Sequence, residues 1–279
     1  MTLELLARRG AFEITRQRIA EGKLFYLDPA SDWEGFEFLY ILRGVLVLKD
    51  NEQDVSLTAG DYLHHRGLDE RAYFRVGEEV ELLMVASPPT FHLMREEMQG
   101  IMALARSVEE KDPATEGHCH RLERLSLHTG ERLGLSGDDL VALSDAAYLH
   151  DVGKVKVPER ILSKRGALDE AEREEIERHP DYGVEIIDGR RSLGAAAELV
   201  VAHHEWFDGA GYPKGLKGEE IPLGARIIAV VDAFDAMVTD RPYRPAMDLE
   251  RARRELERCS ATQFDPRVVK AFLEVLDNE

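Results

Sequence analysis

Two hydrophobic periodicities divide the chain. Between residues 36 and 86 the apolar positions come in short β-rich runs. FEFLYILRGVLVLKDN (36–51) holds two such runs around Arg43-Gly44, and DVSLTAGDYLHH (54–65) alternates at Val55 and Leu57 before Gly60-Asp61. AYFRV (72–76) and VELLMVA (80–86) meet through Gly77. Short strands punctuated by Gly and Asp predict a small β-sandwich or barrel. Ser87-Pro88-Pro89 ends it, because proline removes ladder donors.

Beyond that point the period changes. Phe91, Met94, Met98, Ile101, Ala105 and Val108 recur at helical spacing and form a narrow, heptad-like stripe. Such a stripe suits either a seam between two copies or packing within one chain. Helices are then expected from Pro113 to near Gly134, over 138–150, and over 169–179. The last starts at the capping-box pair Asp169 and Glu172 and stops at Pro180. Leu193–His204, Leu223–Thr239, 248–258 and 266–277 complete the helical pattern. The pattern therefore predicts an α+β multidomain chain: a small β-sandwich or barrel over 1–88, a linker helix over 89–112 and an all-α domain over 113–279.

Composition narrows the function classes. The 279 residues carry 36 Lys+Arg against 54 Asp+Glu, a net charge of −18. That argues against passive binding to a nucleic-acid polymer or an anionic membrane, since both need a basic face. A hydrophobic content of 44% beside 32% charged residues fits a folded chain. Only Cys119 and Cys259 occur, so a reducing cytoplasm is the expected compartment. No secretory signal and no long apolar span is expected from the sequence.

The candidate chemistry lies in the histidines, seven of which fall between His118 and His204. His150-Asp151 sits at a helix end, followed by Gly153 and Lys154. Imidazole with carboxylate suits borderline divalent metals, and an Asp can bridge two ions where a His cannot. Alone, the pair reads as surface or capping chemistry. His118, His179, the His203-His204 doublet and Asp232 change that weight, each lying at a helix end or on an apolar helix. A carboxylate inside IIAVVDAFDAM is costly unless paired or metal-bound. Together these residues can supply two metal sites that hold a hydroxide and clamp a phosphate. The Gly-rich loop Asp208–Pro213 brings backbone close to a ligand, with Tyr212 as a ring for base stacking. Arg241 and Arg244 offer bidentate phosphate contacts. His64 and His65 are adjacent on a strand and point to opposite faces, which disfavours a metal pair.

At these residues the sequence closely resembles the HD-GYP family of cyclic di-GMP phosphodiesterases. The resemblance covers roughly 107–275. It rests on T115EGHCHR, L149HDVGKVKVPERIL, H179PDYG, H203HEWFDGAGYPKGLKGEEIP, the ARIIAVVDAFDAM helix, DRPYR and T262QFDP. It implies one metal site of His118, His150, Asp151 and Asp232, and a second of Asp151, His179, His203 and His204. Lys154 matches the lysine that approaches the scissile phosphate, acting with Asp151 in catalysis. Gly211, Tyr212, Pro213, Arg241 and Arg244 match substrate-binding positions. Some members bind a third metal through a Glu four residues before the first His. Here that residue is Ala114, so two divalent ions are expected, iron or manganese first, with nickel, zinc or magnesium as alternatives.

The first third resembles a small cupin barrel, through the strands around Gly44 and T58AGDYLHHRG67. D32WEGFEF38 lacks the histidines of the metal-binding cupin signature, which implies a sensor or dimerisation module. The expected reaction is metal-dependent hydrolysis of cyclic di-GMP to pGpG or GMP by a hydroxide between two metals, in a cytoplasmic homodimer joined through the cupin-like domain and linker helix. The alternatives are another cyclic dinucleotide such as cyclic GMP-AMP, or a receptor that binds without hydrolysis.

Overall fold

The computed structural model describes residues 2–27, 29, 35–49, 54–109, 117–164, 166–188, 193–240 and 245–278. The chain separates into two compact units, Met1–Ile101 and Met102–Glu279.

Among the described residues, the first unit is a seven-stranded antiparallel sheet: β1 (Thr2–Arg9), β2 (Phe12–Ile19), β3 (Leu24–Leu27), β4 (Phe36–Lys49), β5 (Val55–Leu57), β6 (Tyr62–Arg66) and β7 (Ala72–Ser87). The hydrogen-bonded path runs β1-β2-β7-β4-β5, with β3 on β7 and β6 on β4. It is an open sheet, which corrects the expected closed barrel. β1 and the three-residue β5 end the path and do not pair with each other. The expected breaks at Gly44 and Gly77 are also absent, because β4 and β7 run straight through them as one long pair. Gly44 marks a bulge, with register shifts between Ile41 and Leu46. Across it β4 advances five residues, from Ile41 to Leu46, while β7 advances six, from Leu82 to Val76, and the inward face of β4 moves from odd positions, Leu39 and Ile41, to even ones, Leu46 and Leu48. Only glycine fits there: φ is +87°, and a Cβ would stand 2.1 Å from the Glu79 carbonyl oxygen. Ile19, Phe25, Leu27, Phe74, Val76, Val80, Leu82, Met84 and Ala86 complete the core.

The sequence pattern does not reveal β1 to β3. β1 is mostly exposed, and β2 turns Glu13, Thr15 and Gln17 to its buried side, so neither shows apolar alternation. The T58AGDYL stretch becomes a turn between β5 and β6, closed by Asp61 Oδ2 accepting from Thr58 N (2.7 Å) and Oγ1 (3.0 Å). Most of D32WEGFEF38 before Gly35 lies outside the described residues.

Helix α1 (Phe91–Glu109) spans the boundary between the units. The second unit continues with α2 (His118–Arg132), α3 (Gly137–Leu149), a 3-10 turn (Val152–Lys156), α4 (Glu159–Leu162), α5 (Glu170–Glu177) and α6 (His179–Ile187). Then come α7 (Gly194–Ala202), α8 (Leu223–Val238), α9 (Leu249–Arg258) and α10 (Pro266–Leu276). Leu122, Leu127, Leu143 and Leu149 are fully buried, each worth roughly 1.5–3 kcal/mol of transfer free energy. The capping box at α5 is formed reciprocally: Asp169 Oδ1 accepts from Glu172 N (2.9 Å) and Glu172 Oε2 from Asp169 N (3.0 Å). Pro180 does not stop the helical path. It lies in the first turn of α6, where a missing N–H costs nothing. Among the described residues no helix is long and apolar enough to cross a membrane.

Gly44→Ala is expected to lower the unfolding free energy by roughly 1–3 kcal/mol, from the positive φ and the clash with Glu79, as read by chemical denaturation.

Candidate metal centre

The site is built at helix ends. His150 follows α3, His179 opens α6 and His203 follows α7. Each ring turns Nδ1 back to the carbonyl three residues earlier: His150 to Ala147 O (3.0 Å), His179 to Ile176 O (2.8 Å) and His203 to Val200 O (2.6 Å). A carbonyl only accepts, so Nδ1 carries the proton and Nε2 is left free to ligate. These carbonyls lie in the last turn of α3, α5 and α7, where helix ends leave carbonyl capacity to spare; Ile176 O also accepts from Arg178 N. His118, at the start of α2, uses a carboxylate instead: its Nδ1 lies 2.7 Å from Asp235 Oδ2.

The ligating atoms converge in two groups. Asp151, His179, His203 and His204 form one, and His118, His150 and Asp232 the other, with donor atoms in each within 4.8 Å of one another. Asp151 stands between them. Its Oδ1 is 3.3 Å from His179 Nε2, and its Oδ2 is 3.4 Å from His150 Nε2. His118 Nε2 lies 3.5 Å from Asp232 Oδ1. All but Asp232 and His204 are buried.

The residues fit divalent ions on a chemical test. His150 Nε2 and Asp151 Oδ1 are buried without a hydrogen-bond partner. His179 Nε2 and His203 Nε2 face each other at 3.4 Å, although each ring has committed its proton to a carbonyl. Two lone pairs at that separation call for a cation. The charges agree. Burial, then the neighbouring His204, pushes the His203 pKa well below its ordinary value. Burial and His179 bring His204 to about 3, so both rings are neutral ligands at neutral pH. Burial opposes charge on Asp151, but the Lys154 ammonium beside it holds the carboxyl well below the usual range.

Lys154 comes from the 3-10 turn, and its Nζ is 2.6 Å from Asp151 Oδ2. The turn packs tightly on α6, since a Cβ at Gly153 would stand 1.9 Å from His179 O. Tyr212 stacks on His204 with centroids 4.8 Å apart, and its N–H donates to His204 O at 3.2 Å. Gly211 makes that approach possible: a Cβ would lie 2.2 Å from Trp206 N. Pro213 follows Tyr212. Arg241 and Arg244, and also Ala114, lie outside the described residues. His120 is mostly exposed beside Tyr148, away from His118's contacts.

Three residues matter here that the sequence reading assigned no role. Asp235 takes the His118 ring and a bidentate Arg121, with Nε at 2.6 Å from Oδ1 and Nη2 at 2.9 Å from Oδ2. Burial alone would raise its pKa, but those bonds hold it at about 2. The available signal was spacing, since Asp235 lies three residues after Asp232 and Arg121 three after His118. The third is Glu205, which is buried and accepts from Lys214 N (2.7 Å) and Leu216 N (3.0 Å), pinning the Gly-rich loop. The T262QFDP stretch pins the same loop: its Thr262 and Gln263 carbonyls accept from Asp208 N (2.8 Å) and Phe207 N (3.1 Å).

Fold and site define a helical second unit with a candidate two-ion centre built from His and Asp. The HD domain profile matches residues 102–268, more than half the chain, and the chain belongs to that family. Among curated relatives, the cyclic di-GMP phosphodiesterase response regulator RpfG of Xanthomonas campestris is 40% identical over 63% of this chain and 47% of its own. A cyclic di-GMP phosphodiesterase of Thermotoga maritima is 43% identical over 60% and 46%. The 3′3′-cGAMP-specific phosphodiesterase 3 of Vibrio cholerae is 38% identical over 63% and 38%. The chain thus spans about half or less of the length of these relatives. Among solved structures similar to the N-terminal part is the Cupin_2 domain of an XRE family transcriptional regulator from Enterobacter cloacae. It has a TM-score of 0.28 and 17% identity, covering 32% of this chain and 96% of that one.

Asp235→Asn is expected to weaken metal affinity by about 10–100-fold, because it loosens the His118 ring without removing a ligand. A chelator competition titration measures it. Gly153→Ala is expected to push the 3-10 turn from α6 and to leave the purified protein short of metal by elemental analysis.

Proposed function

We propose that this chain is a metal-dependent phosphodiesterase that opens the 3′,5′-phosphodiester of cyclic di-GMP. The observation that carries the reading is the pair of donor sets meeting at Asp151, with Lys154 and Tyr212 beside them. The names of the relatives support the substrate class. Asp151, His179, His203 and His204 would hold one divalent ion. His118, His150, Asp232 and the second oxygen of Asp151 would hold another, iron or manganese suiting the mixed imidazole and carboxylate donors. Such ions, when bound, supply Lewis-acid charge at the phosphoryl oxygens and acidify water at neutral pH.

The chain's own residues position the rest. Lys154 is a fixed cation at the edge of Asp151, placed to donate to a phosphoryl oxygen as negative charge builds there. Tyr212, held flat on His204, offers its other face to a purine, while Gly211 lets the loop lie against the His204–Trp206 backbone. Burial, then Asp151 and Glu177, raises the Tyr212 pKa, so its hydroxyl remains a donor. Arg241 and Arg244 supply bidentate contacts to the ring phosphates in this reading. The metals and these cations invert the local sign, so a net charge of −18 does not exclude an anionic substrate. The product is pGpG or, after a second cut, GMP. The protein acts in the cytoplasm as a homodimer through its N-terminal unit and α1, with that unit as sensor or dimerisation module.

A second reading keeps the chemistry and changes one base to adenine, because a relative of comparable identity is named for 3′3′-cGAMP. Competition between the two dinucleotides separates the readings.

The test is metal analysis of anaerobically purified protein with chromatography of products from cyclic di-GMP. Two ions per chain and appearance of pGpG or GMP are expected. Lys154→Ala is expected to keep the metals and lose about 10²–10³-fold in kcat, the scale of a lost transition-state donor. Asp151→Ala is expected to lose metal and activity together; retention of both overturns the reading.

A further inference from the structure

The N-terminal unit holds a second polar cluster that the metal centre does not use. The strand registers place Glu13 opposite Ala86, Ala86 opposite Glu37, and Glu37 opposite His65. These four residues form one row across β2, β7, β4 and β6. Glu13 is 1% exposed and Glu37 6%. Glu37 Oε2 lies 3.0 Å from His65 Nε2. With neighbouring strands ~4.8 Å apart, the two Glu backbones stand roughly 10 Å apart. On β7 the residue between them is Ala86, with a single methyl side chain, whereas the other inward residues of that strand, from Phe74 to Met84, are larger.

Glu13 has divided duties. Its Oε1 accepts from Thr90 N (2.6 Å) and from Phe91 N, and so holds the first turn of α1. Its Oε2 is buried with no hydrogen-bond partner. Gln17, two inward positions along β2, is fully buried, with its amide nitrogen on Met84 Sδ at 3.3 Å and its Oε1 unpartnered. Both unmet atoms are acceptors, and a buried acceptor left without a donor is costly. The complement is a donor, and beside two carboxylates a cationic one. Among the described residues this row is not one of the groups whose donor atoms converge closely enough for a metal ion.

We propose that the interior of the N-terminal sheet binds a compact organic cation with several N–H donors, of guanidinium type, across Glu13 and Glu37 over Ala86. A planar fork of donors spans two carboxylates where a single point charge does not. Occupancy fixes the carboxylate whose other oxygen holds α1, so binding is read at the Thr90 and Phe91 amides. The proposal is independent of the metal centre and its substrate.

Methylguanidinium is the probe, titrated into the full-length protein by calorimetry, with choline as a cation that lacks N–H donors. Hydrogen exchange of the peptide covering 88–95 is followed in parallel. One methylguanidinium per chain, no choline binding and slower exchange at Thr90 and Phe91 are expected. Glu13→Gln keeps a carbonyl oxygen for the α1 amides and is expected to weaken binding about tenfold or more, the scale of a lost charge-assisted bond. Glu37→Gln, which leaves the α1 contact untouched, is expected to do the same and carries the test should Glu13→Gln disturb folding. No binding at millimolar methylguanidinium, or unchanged affinity in Glu37→Gln, overturns the proposal and leaves an ordered water as the donor to Glu13.

Discussion

Burying imidazoles around a carboxylate in a helical core is unfavourable unless each ring's two nitrogens are satisfied separately. His150, His179 and His203 cannot satisfy one another, because their free Nε2 atoms all point inward. The helix ends meet half of the demand. A carbonyl three residues back, in the last turn of the preceding helix, takes each Nδ1 proton. The other half is left to whatever sits between the rings, and among the described residues Asp151 is the carboxylate that reaches both groups. Much of the packing of the second unit follows. α3 and α7 must end, and α6 must begin, at this one place. Gly153 and Gly183 let the 3-10 turn lie against α6; a Cβ at Gly183 would stand 2.9 Å from Val200 Cγ1. His118, which lies on a helix rather than after one, has no spare carbonyl, and it takes Asp235 instead.

The same constraint explains why the ligands were legible in the sequence. A histidine at the end of an apolar helix is visible in the chain as such, and so is a lone aspartate inside IIAVVDAFDAM. Their partners were not. Asp235 lies in the same stretch as Asp232, but which carboxylate faces the metal and which the imidazole depends on the crossing of α2 and α8. Glu205 adjoins the His doublet, yet its work is to bind amides 9 and 11 residues further on, through a loop whose path the sequence does not state. The helices emerged close to their expected bounds because their apolar stripes are strong. Pro180 was misread because proline ends one helix and opens another equally well, and only the following turn decides.

The β unit was less legible for the opposite reason. Its sequence signals were local, and its structure is set by long pairing. Gly44 and Gly77 read as punctuation between short strands, but β4 and β7 continue through both and let the other strands join along their two halves. A bulge and a reversal need the same residue, and the choice is made by the partner strand. β2 was hidden by its buried Glu13, Thr15 and Gln17, polar residues on the face that alternation reserves for apolar ones. A mismatch of that kind, carried through three successive inward positions, is where local rules yield to a specific need of the fold.

The loop around Tyr212 is held by a separate set of ties. Glu205 grips the amides of Lys214 and Leu216, the Thr262 and Gln263 carbonyls grip Asp208 and Phe207, and the missing side chain at Gly211 lets Tyr212 close on His204. None of these grips uses a nitrogen or oxygen of the seven clustered donors. The loop touches the centre through the His204 ring and backbone carbonyl, and a ring stack orients an imidazole without consuming its ligating nitrogen. Apart from Tyr212, the wall that meets a ligand can therefore change residue by residue while the donor set beneath it keeps its geometry. A change in the donor set has no such freedom, since every imidazole in it is fixed by a helix end or by Asp235 at its other nitrogen, or, for His204, by the loop stacked upon it.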